Sequence, residues 1–553
     1  MNTRIRKLRE QSLNATNRIS AERALLVTEF YQSDQSREGS VPSQRARAFE
    51  YILSKKEICI NPGELIVGER GPAPKATPTY PEINLHTTGD LDILDSREKV
   101  SFRVDQQTRE AYEQTIIPFW KGKTQRERIF SNLSADWVDA YEAGVFTEFQ
   151  EQRAPGHTVA GKQVFQKGML DFIDDVRISF DQLDHLNDPE ASEKSDELEA
   201  MEVVARALIG FAERHSEKLR KLAEETEDKV RKAELIEMAD ICTRVPAHAP
   251  RTFHEALQHY WFIHLGVITE LNPWDSFNPG RLDQHLYPFY EKEIREGRLT
   301  KDQAKELLQA FWIKFNNHPS PPKVGVTAQE SNTYTDFALI NLGGVDERGH
   351  DATNELTYLI LEVIEEMRIL QPSSMVQISK KSPDRLLKRT AQITKTGFGQ
   401  PSYFNTDAII QELLLQGKEI EDARNGGASG CVETGAFGKE SYILTGYFNL
   451  NKVLEITLYN GVDPRTGNQI GIKTGDPVYF ETFDQLFGAF ERQLQHFTNI
   501  KLRGNNIIES LYARFMPVPF LSLIIDDCIL NGKDYNAGGA KYNTSYVQGV
   551  GIG

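Results

Sequence analysis

The residues most suited to chemistry surround one cysteine, Cys431, in the glycine-rich sequence NGGASGCVETG at Asn425–Gly435. Glycines on both sides of a cysteine are typical of a tight loop whose backbone passes close to another part of the molecule. Glu433 follows two residues later, so in an extended loop its carboxylate lies on the same face as the thiol. A nucleophilic thiolate usually needs a cationic neighbour that lowers its pKa, and a carboxylate has the opposite effect. The pair therefore favours one-electron chemistry, although a glycine turn around a buried, inert thiol fits this stretch equally well.

The other three cysteines, Cys59, Cys242 and Cys528, are far apart in the sequence. None belongs to a CxxC pair or to a cluster of cysteines and histidines, so the sequence predicts no zinc or iron–sulfur site. We expect these three thiols to be small core residues of a protein from a reducing compartment.

Composition and charge restrict the class of protein. The 553 residues are 39% hydrophobic and 26% charged, with a formal net charge of -16. This length allows several domains or one large α/β barrel. The negative charge, which is not concentrated in a tail, argues against nucleic-acid and anionic-membrane partners. No apolar run approaches the roughly 20 residues of a membrane span, and no secretory signal follows the basic N-terminus. We therefore expect a cytoplasmic protein.

Capping residues mark the starts of several helices. The stretches Thr252–Glu255 and Thr300–Gln303 have the pattern of a capping box, in which two side chains satisfy free N–H groups. Ser382 followed by Pro383 predicts an N-cap with proline at the first helical position. The charged, weakly amphipathic segment Ser216–Cys242 predicts one long surface helix.

Short apolar runs between these helices predict buried strands. They are Phe337–Leu342, Ser374–Ile378 and Pro519–Ile525. A predicted helix at Leu356–Leu370 separates the first two runs, which gives a strand–helix–strand unit and favours a parallel sheet. Residues 1 to about 130 are predicted to form a mostly helical periphery, and residues from about 131 to 553 the α/β core.

The GCVE sequence at Gly430–Glu433 resembles the loop motif of the dehydratase and lyase branches of the glycyl radical enzymes, which are pyruvate formate-lyase-like proteins. The resemblance covers essentially the whole chain. Other matching segments are Ile19–Ala24, Gly280–Gln284 and Gly538–Asn543. It implies an α/β fold: a ten-stranded barrel of two five-stranded half-barrels, incomplete in this chain, with peripheral helices and the cysteine loop threaded through its middle. Residues 1–553 would form one pyruvate formate-lyase-like domain, truncated at its C-terminus.

The family resemblance also implies a reaction type. In such enzymes a separate radical S-adenosylmethionine activase makes a glycyl radical, which converts the loop cysteine to a thiyl that removes a hydrogen atom from the substrate. Cys431 would be the thiyl residue and Glu433 the acid/base beside it, in a site that must exclude water. Pyruvate formate-lyase itself uses two adjacent cysteines, and because Val432 follows Cys431 here, acetyl transfer is disfavoured.

Three segments are most similar to the branch of the family that dehydrates hydroxyproline. They are Phe149–Thr158, Glu270–Phe277 and Glu330–Asp336. The resemblance implies the catalytic residues Cys431, Glu433, His157 and Asp275. It implies that the substrate is bound by Phe149, Ser331, Asp336 and Tyr447.

These residue types suit a zwitterionic imino acid that carries a hydroxyl group. The carboxylates of Asp275 and Glu433 neutralise a buried ammonium, which is otherwise costly to desolvate. Loss of the hydroxyl requires a proton donor, a role that a protonated histidine such as His157 fills near neutral pH. Asp336 is expected to orient that imidazole and Phe149 to pack on the ring. The expected reaction is dehydration of trans-4-hydroxy-L-proline to a pyrroline carboxylate, with the proton donor left open between His157 and Glu433.

The family's C-terminal radical motif, Arg-Val-x-Gly-Tyr, does not occur in the sequence, which ends in the apolar, strand-like segment Val547–Gly553. We expect a truncated chain, a split gene product, or one part that needs a second polypeptide carrying the radical glycine. No bound cofactor or metal is expected on the chain itself. The resemblance implies an activating enzyme as a partner and a homodimer as the assembly.

Two alternatives remain at this point. One is another GCVE-type glycyl radical lyase, a diol dehydratase, an amine lyase or an arylacetate decarboxylase. The other is an inactive truncated product that keeps the pocket and makes no radical. A substrate panel with a complete, activated protein separates the first from hydroxyproline dehydration, and an adjacent reading frame carrying the radical motif argues against the second.

Overall fold

The computed structural model describes residues 1–147, 157–272, 277–325, 337–430 and 432–551. The candidate residues Phe149, Asp275, Ser331, Asp336 and Cys431 lie outside the described residues. Within the described ranges the chain mixes helices and strands, which confirms the expected α/β class.

The N-terminal part of the chain is mainly helical. Its helices are α1 (Thr3–Asn14), α2 (Glu22–Gln32), α3 (Val41–Lys55), α4 (Thr88–Ser96), α5 (Gln106–Ala111), α6 (Ile117–Trp120), α7 (Gln125–Asn132) and α8 (Ala135–Ala143). Two short strands, β1 (Arg18–Ser20) and β2 (Ala76–Pro78), pair in parallel among them. Part of this region has its own apolar cluster, in which Ile19, Leu91, Phe102 and Trp120 are buried.

Six helices form the middle of the chain. They are α9 (Met169–Asp181), α10 (Ala191–Glu225), α11 (Lys229–Arg244), α12 (Phe253–Glu270), α13 (Leu282–Arg295) and α14 (Lys301–Asn316). All residues of α12 except His254 are buried, as in a helix that crosses the interior of a large core. The capping box at Thr300–Gln303 is confirmed. At α12 only half of the expected box forms, because Glu255 accepts from the N–H of Arg251 instead of that of Thr252.

A parallel sheet follows, with β3 (Leu339–Gly343), β4 (Ser373–Ile378) and β5 (Ser402–Asn405) in that order. Helix α15 (Glu355–Met367) connects β3 to β4. The predicted strand–helix–strand unit is therefore confirmed, with both strands paired in parallel and buried along most of their length.

The remaining helices and strands include an antiparallel hairpin. The helices are α16 (Asp384–Thr394), α17 (Thr406–Leu415), α18 (Ile420–Asn425), α19 (Leu450–Leu458), α20 (Phe483–Phe515), α21 (Pro519–Leu523) and α22 (Cys528–Asn531). The strands are β6 (Gly427–Ser429), β7 (Glu433–Gly435), β8 (Glu440–Asn449) and β9 (Tyr542–Val550). Strands β6 and β7 form an antiparallel hairpin, and β8 pairs with β9 in parallel.

The strand predicted at Pro519–Ile525 is wrong, because residues 519–523 form the short buried helix α21. An apolar run of this length does not by itself distinguish a buried strand from a buried helix. The carboxylate of Glu270, distant in sequence, accepts from the N–H groups of Phe520 and Leu521 at 2.8 and 3.0 Å. A partner that satisfies the first N–H groups stabilises a helix start.

Two other boundaries differ from the predictions. The single helix expected at Ser216–Cys242 is divided between α10 and α11, because Asp228 caps a new helix by accepting from the N–H groups of Val230 and Arg231. Helix α16 begins at Asp384 with Pro383 at its N-cap. The hydroxyl of Ser382 instead accepts from the N–H of Ser379 at 3.0 Å.

None of the helices in the described ranges combines the length and the apolarity that a membrane crossing requires.

Candidate active site

The β6–β7 hairpin flanks the predicted catalytic residue in the sequence. Ser429 pairs with Glu433, and the described residues of the tip between them are Gly430 and Val432. Gly430 has a φ of +51°, a left-handed conformation that favours glycine over residues with a side chain. The local geometry thus explains one glycine of the motif, and the position of the Cys431 thiol stays a prediction.

Two side-chain amides bind the hairpin to the parallel sheet. Asn341 of β3 donates to the carbonyl of Ala428 at 2.8 Å and accepts from its N–H at 3.1 Å. Gln377 of β4 donates to the carbonyl of Gly426 at 3.0 Å. Since an amide carries both donors and acceptors, these side chains satisfy buried backbone groups as a neighbouring strand would. The hairpin is therefore held by directional contacts.

The hairpin also packs closely against the sheet. Ala428 lies in an apolar cluster with Leu339 and Met375, and Phe404 packs on that cluster. A Cβ atom on Gly427 would lie 2.3 Å from Oδ1 of Asn341, so this position has no room for a side chain. We call Asn341 and Gln377, with the backbone of residues 426–428, the amide clamp.

Glu433 follows the tip as the first residue of β7, and its side chain is 1% exposed. Its Oε2 accepts from the N–H of Val432 at 3.0 Å. Its Oε1 accepts a hydrogen bond from Nε2 of Gln548 on β9. Each carboxylate oxygen therefore has an N–H donor, which defines the orientation of the group.

His157 is the second candidate acid/base residue that the structure describes. Its side chain is fully buried, and its Nδ1 lies 4.0 Å from Oε2 of Glu433. The ring of Tyr546 lies nearly parallel to the imidazole, with 5.8 Å between ring centroids. Burial lowers the pKa of His157 to about 4, although the nearby Glu433 carboxylate acts in the opposite direction. The imidazole is therefore neutral near pH 7, in contrast to the protonated form expected from the sequence.

We expect the imidazole of His157 to titrate with a midpoint near pH 4, because burial disfavours its charged form. Since this pKa lies below the value of about 6.5 in an unfolded chain, the neutral ring contributes stability above pH 6.5. That contribution is lost as the pH falls towards 4. Histidine-selective NMR, with a His157→Gln variant for assignment, measures the midpoint. A midpoint above pH 6 would contradict the prediction.

Tyr447, the third described candidate, lies on β8 and is half-buried. Its backbone pairs with Gln548, the residue that donates to Glu433. Its carbonyl accepts from the N–H of Thr147 at 3.0 Å. The structure thus brings Tyr447, Glu433 and His157 into one region, with β9 as the common neighbour.

Sequence reasoning missed four residues of this region. They are Asn341, Gln377, Tyr546 and Gln548. Asn341 and Gln377 lie within predicted strands whose polar residues carried no motif. Tyr546 and Gln548 are two residues apart, a spacing that places side chains on one face of a strand, and this was the signal available.

The other cysteines are protonated thiols. Cys242 and Cys528 are buried, as expected, while Cys59 is only partly buried. Burial raises the pKa of Cys59 to about 12 and raises the pKa values of Cys242 and Cys528 as well. These environments are those of structural cysteines.

In a Cys431→Ser background, we expect native protein to react with a maleimide at pH 7.5 roughly 10³-fold more slowly than free cysteine, because so little thiolate exists at Cys59. Cys242 and Cys528 should label only after denaturation. Mass spectrometry of labelled peptides measures each site. Stoichiometric labelling of the native protein within minutes would disprove this.

Among the residues that the structure describes, no group of three or more histidine, cysteine or acidic side chains is arranged to hold a metal ion.

Comparison with known proteins identifies the family. The chain belongs to the pyruvate formate lyase-like family, whose sequence profile matches residues 1–553. It is 53% identical over 552 residues to trans-4-hydroxy-L-proline dehydratase of Clostridioides difficile, covering 100% of this chain and 70% of that protein.

Solved structures give the same result. A hydroxyproline dehydratase from Clostridioides difficile with bound trans-4-hydroxy-L-proline superposes with a TM-score of 0.97 and 52% identity, over 100% of this chain and 70% of its own. A glycyl radical enzyme from Archaeoglobus fulgidus superposes with a TM-score of 0.91 and 32% identity, over 99% and 70%. The predicted family and barrel fold are therefore confirmed.

Proposed function

We propose that this chain is the cysteine-bearing part of a glycyl radical dehydratase that converts trans-4-hydroxy-L-proline to a pyrroline carboxylate. The observation that carries the proposal is the match along the whole chain, at 52% identity, to a structure with that substrate bound. The contacts among Glu433, His157 and the hairpin tip supply a chemical reason for it.

The glycyl radical that the family's activase makes would supply hydrogen-atom abstraction through the sulfur of Cys431. The described residues suit that chemistry, because the amide clamp fixes strand β6, which shortly precedes Cys431 in the chain. The side chains of Glu433 and His157 are buried, while Val432 at the tip is 60% exposed. Burial excludes water, which would otherwise divert reactive intermediates.

The proton balance of the dehydration suits a carboxylate beside a neutral imidazole. The C–O bond breaks and the hydroxyl leaves as water, which consumes one proton. The C=N bond of the pyrroline forms as the ring nitrogen loses one proton, so no net proton is required. Glu433 and a neutral His157, 4.0 Å apart, can move that proton between the nitrogen and the leaving oxygen.

The proposal includes the surroundings of the reaction. The enzyme would work without oxygen in the cytoplasm, with a radical S-adenosylmethionine activase as partner and a homodimer as the assembly. The radical glycine would come from a further segment or a second polypeptide. Asp275, Phe149, Ser331 and Asp336 keep their proposed roles at the substrate.

The test is an anaerobic assay of this chain together with the radical-bearing C-terminal part of the Clostridioides difficile relative and its activase. We expect a glycyl radical signal in electron paramagnetic resonance and turnover of trans-4-hydroxy-L-proline. Glycerol, choline and an arylacetate serve as competing substrates. Turnover of one of these, with hydroxyproline inert, would replace the proposal with another lyase.

A further inference from the structure

Strand β9 presents one face to the candidate active site. Along Tyr542–Val550 the half-buried residues alternate with exposed ones as far as Gln548, as expected for a strand with one covered face. Tyr546 and Gln548 are consecutive residues on the covered face. One contacts His157 and the other contacts Glu433.

Gln548 restrains Glu433 in one orientation. Its Nε2 donates to Oε1, while the N–H of Val432 donates to Oε2. With a donor on each oxygen the carboxylate cannot rotate without losing a hydrogen bond and leaving a buried polar atom unsatisfied. In this orientation Oε2 is the oxygen that lies 4.0 Å from Nδ1 of His157.

Tyr546 restrains His157 in a comparable way. Its ring lies against the imidazole at an angle of 28° between ring planes. Tyr546 also packs on an apolar cluster of Val159 and Phe437, which fixes its own position. The imidazole therefore lies against a ring that is itself supported.

The neighbouring strand is irregular at the same place. In β8 the register shifts between Leu444 and Tyr447, which pair with Tyr546 and Gln548. Thr445 within this bulge donates to the carbonyl of Tyr546 at 3.0 Å. Bulges of this kind often lie next to active sites, where they redirect side chains.

Two side chains of helix α20 form hydrogen bonds with the bulge. Lys501 donates to the carbonyl of Thr445 at 2.7 Å, and Asn505 donates to its hydroxyl at 3.0 Å. Both side chains are buried. The register that places Tyr546 and Gln548 is therefore fixed by contacts outside the site.

We infer that Gln548 and Tyr546 are positioning residues of the active site, which orient Glu433 and His157 for proton transfer to and from the substrate. The inference rests on the proposed function and deepens it. Partners that orient reacting groups typically change activity by 10–100-fold when they are removed.

The first test replaces Gln548 with methionine, which has a similar shape and no N–H donor. We expect kcat to fall roughly 30-fold with KM nearly unchanged, because the substrate still binds while Glu433 is no longer oriented. Val547→Thr, on the exposed side of the same strand, is the matched control and should keep wild-type kcat. Equal kcat values for Gln548→Met and wild type would overturn the inference.

The Gln548→Glu variant tests the role of Gln548 through the pH dependence of kcat, which a general packing defect would not change. It places a second carboxylate against Oε1 of Glu433, so the two groups must share a proton and a new ionisation enters the pH profile. Other ionisable groups along the strand are Lys501 at Thr445, Lys418 with Glu440 at Thr544, Glu509 at Ser545, and Asp422 at Tyr542. They are the same in both proteins. A pH profile identical to that of the wild type would reject the role of Gln548.

Tyr546 is tested by comparing phenylalanine with leucine. Tyr546→Phe keeps the ring against His157 and should retain kcat within about threefold, whereas Tyr546→Leu should lose roughly tenfold or more. Recovery of kcat in Tyr546→Phe relative to Tyr546→Leu would show that the aromatic ring is the part of Tyr546 that matters. Equal losses in both variants would show that the ring does not position the imidazole.

NMR titration of His157 separates this inference from the proposed function, because it needs no turnover. In the Gln548→Glu variant the proton shared between the two carboxylates redistributes the negative charge beside Nδ1, so the His157 midpoint should differ from that of the wild type. A shifted midpoint with hydroxyproline inert would support the arrangement and reject only the proposed substrate. An unchanged midpoint, with hydroxyproline turned over, would reject the inference alone.

Discussion

Replacing Cys431 with serine is expected to abolish turnover and leave the fold unchanged. Serine has nearly the same size as cysteine, but its O–H bond is much stronger than the S–H bond of cysteine. Hydrogen-atom transfer through this position then becomes inaccessible. We expect a loss of at least about 10⁴-fold in kcat, equivalent to roughly 5.5 kcal/mol of activation free energy.

Anaerobic turnover of hydroxyproline by the completed, activated enzyme measures this effect, and the thermal midpoint checks the fold. Cys59→Ser is the matched control, since its thiol is held protonated by partial burial and should not take part. Activity that survives in Cys431→Ser would reject a radical mechanism. None of the three described cysteines has an environment that would let it replace Cys431.

Local patterns predicted the elements that position the site. The apolar runs at β3 and β4 and the helix between them were predicted correctly. Alternation of strand and helix patterns can be recognised from local sequence, without knowledge of tertiary contacts. The prediction of a strand at Pro519–Ile525 was wrong because the structure of this segment depends on a tertiary contact. Its helical state depends on Glu270, a carboxylate about 250 residues away, which no local pattern includes.

The charge state of His157 shows a second limit of the sequence. Residue type alone gives a pKa of about 6.5 and suggests a ready proton donor. The neutral state arises from complete burial, which is a property of the assembled fold. The motif around Glu433 was visible in the sequence, whereas the donor that orients Glu433 comes from Gln548, 115 residues later.

The sequence did not predict the amide clamp either. Asn341 and Gln377 are polar residues in buried strands, and such residues need partners. The sequence does not say that the partner is the backbone of the cysteine hairpin. Glycine at position 427 carried part of this information, because a residue without a side chain permits close approach of the backbone.

Gly427→Ala is expected to disrupt the hairpin. The added Cβ would lie 2.3 Å from Oδ1 of Asn341, 2.5 Å from Nε2 of Gln377 and 2.8 Å from the ring of Phe437. These amides hold the hairpin, so relief of the overlap requires breaking their hydrogen bonds to residues 426 and 428. We expect a loss of about 3 kcal/mol or more in stability. Turnover should fall sharply, because the residue at the tip moves with the hairpin.

Thermal unfolding and limited proteolysis at the hairpin measure the change without any need for catalysis. Gly210→Ala is the matched control, since Gly210 lies within α10 with open space at its Cβ position. That variant should be as stable as the wild type or more stable, because alanine favours a helix by roughly 1 kcal/mol over glycine. If Gly427→Ala matches Gly210→Ala in thermal midpoint and protease resistance, the hairpin is not held by the amide clamp. The position of the reactive residue would then depend on other contacts.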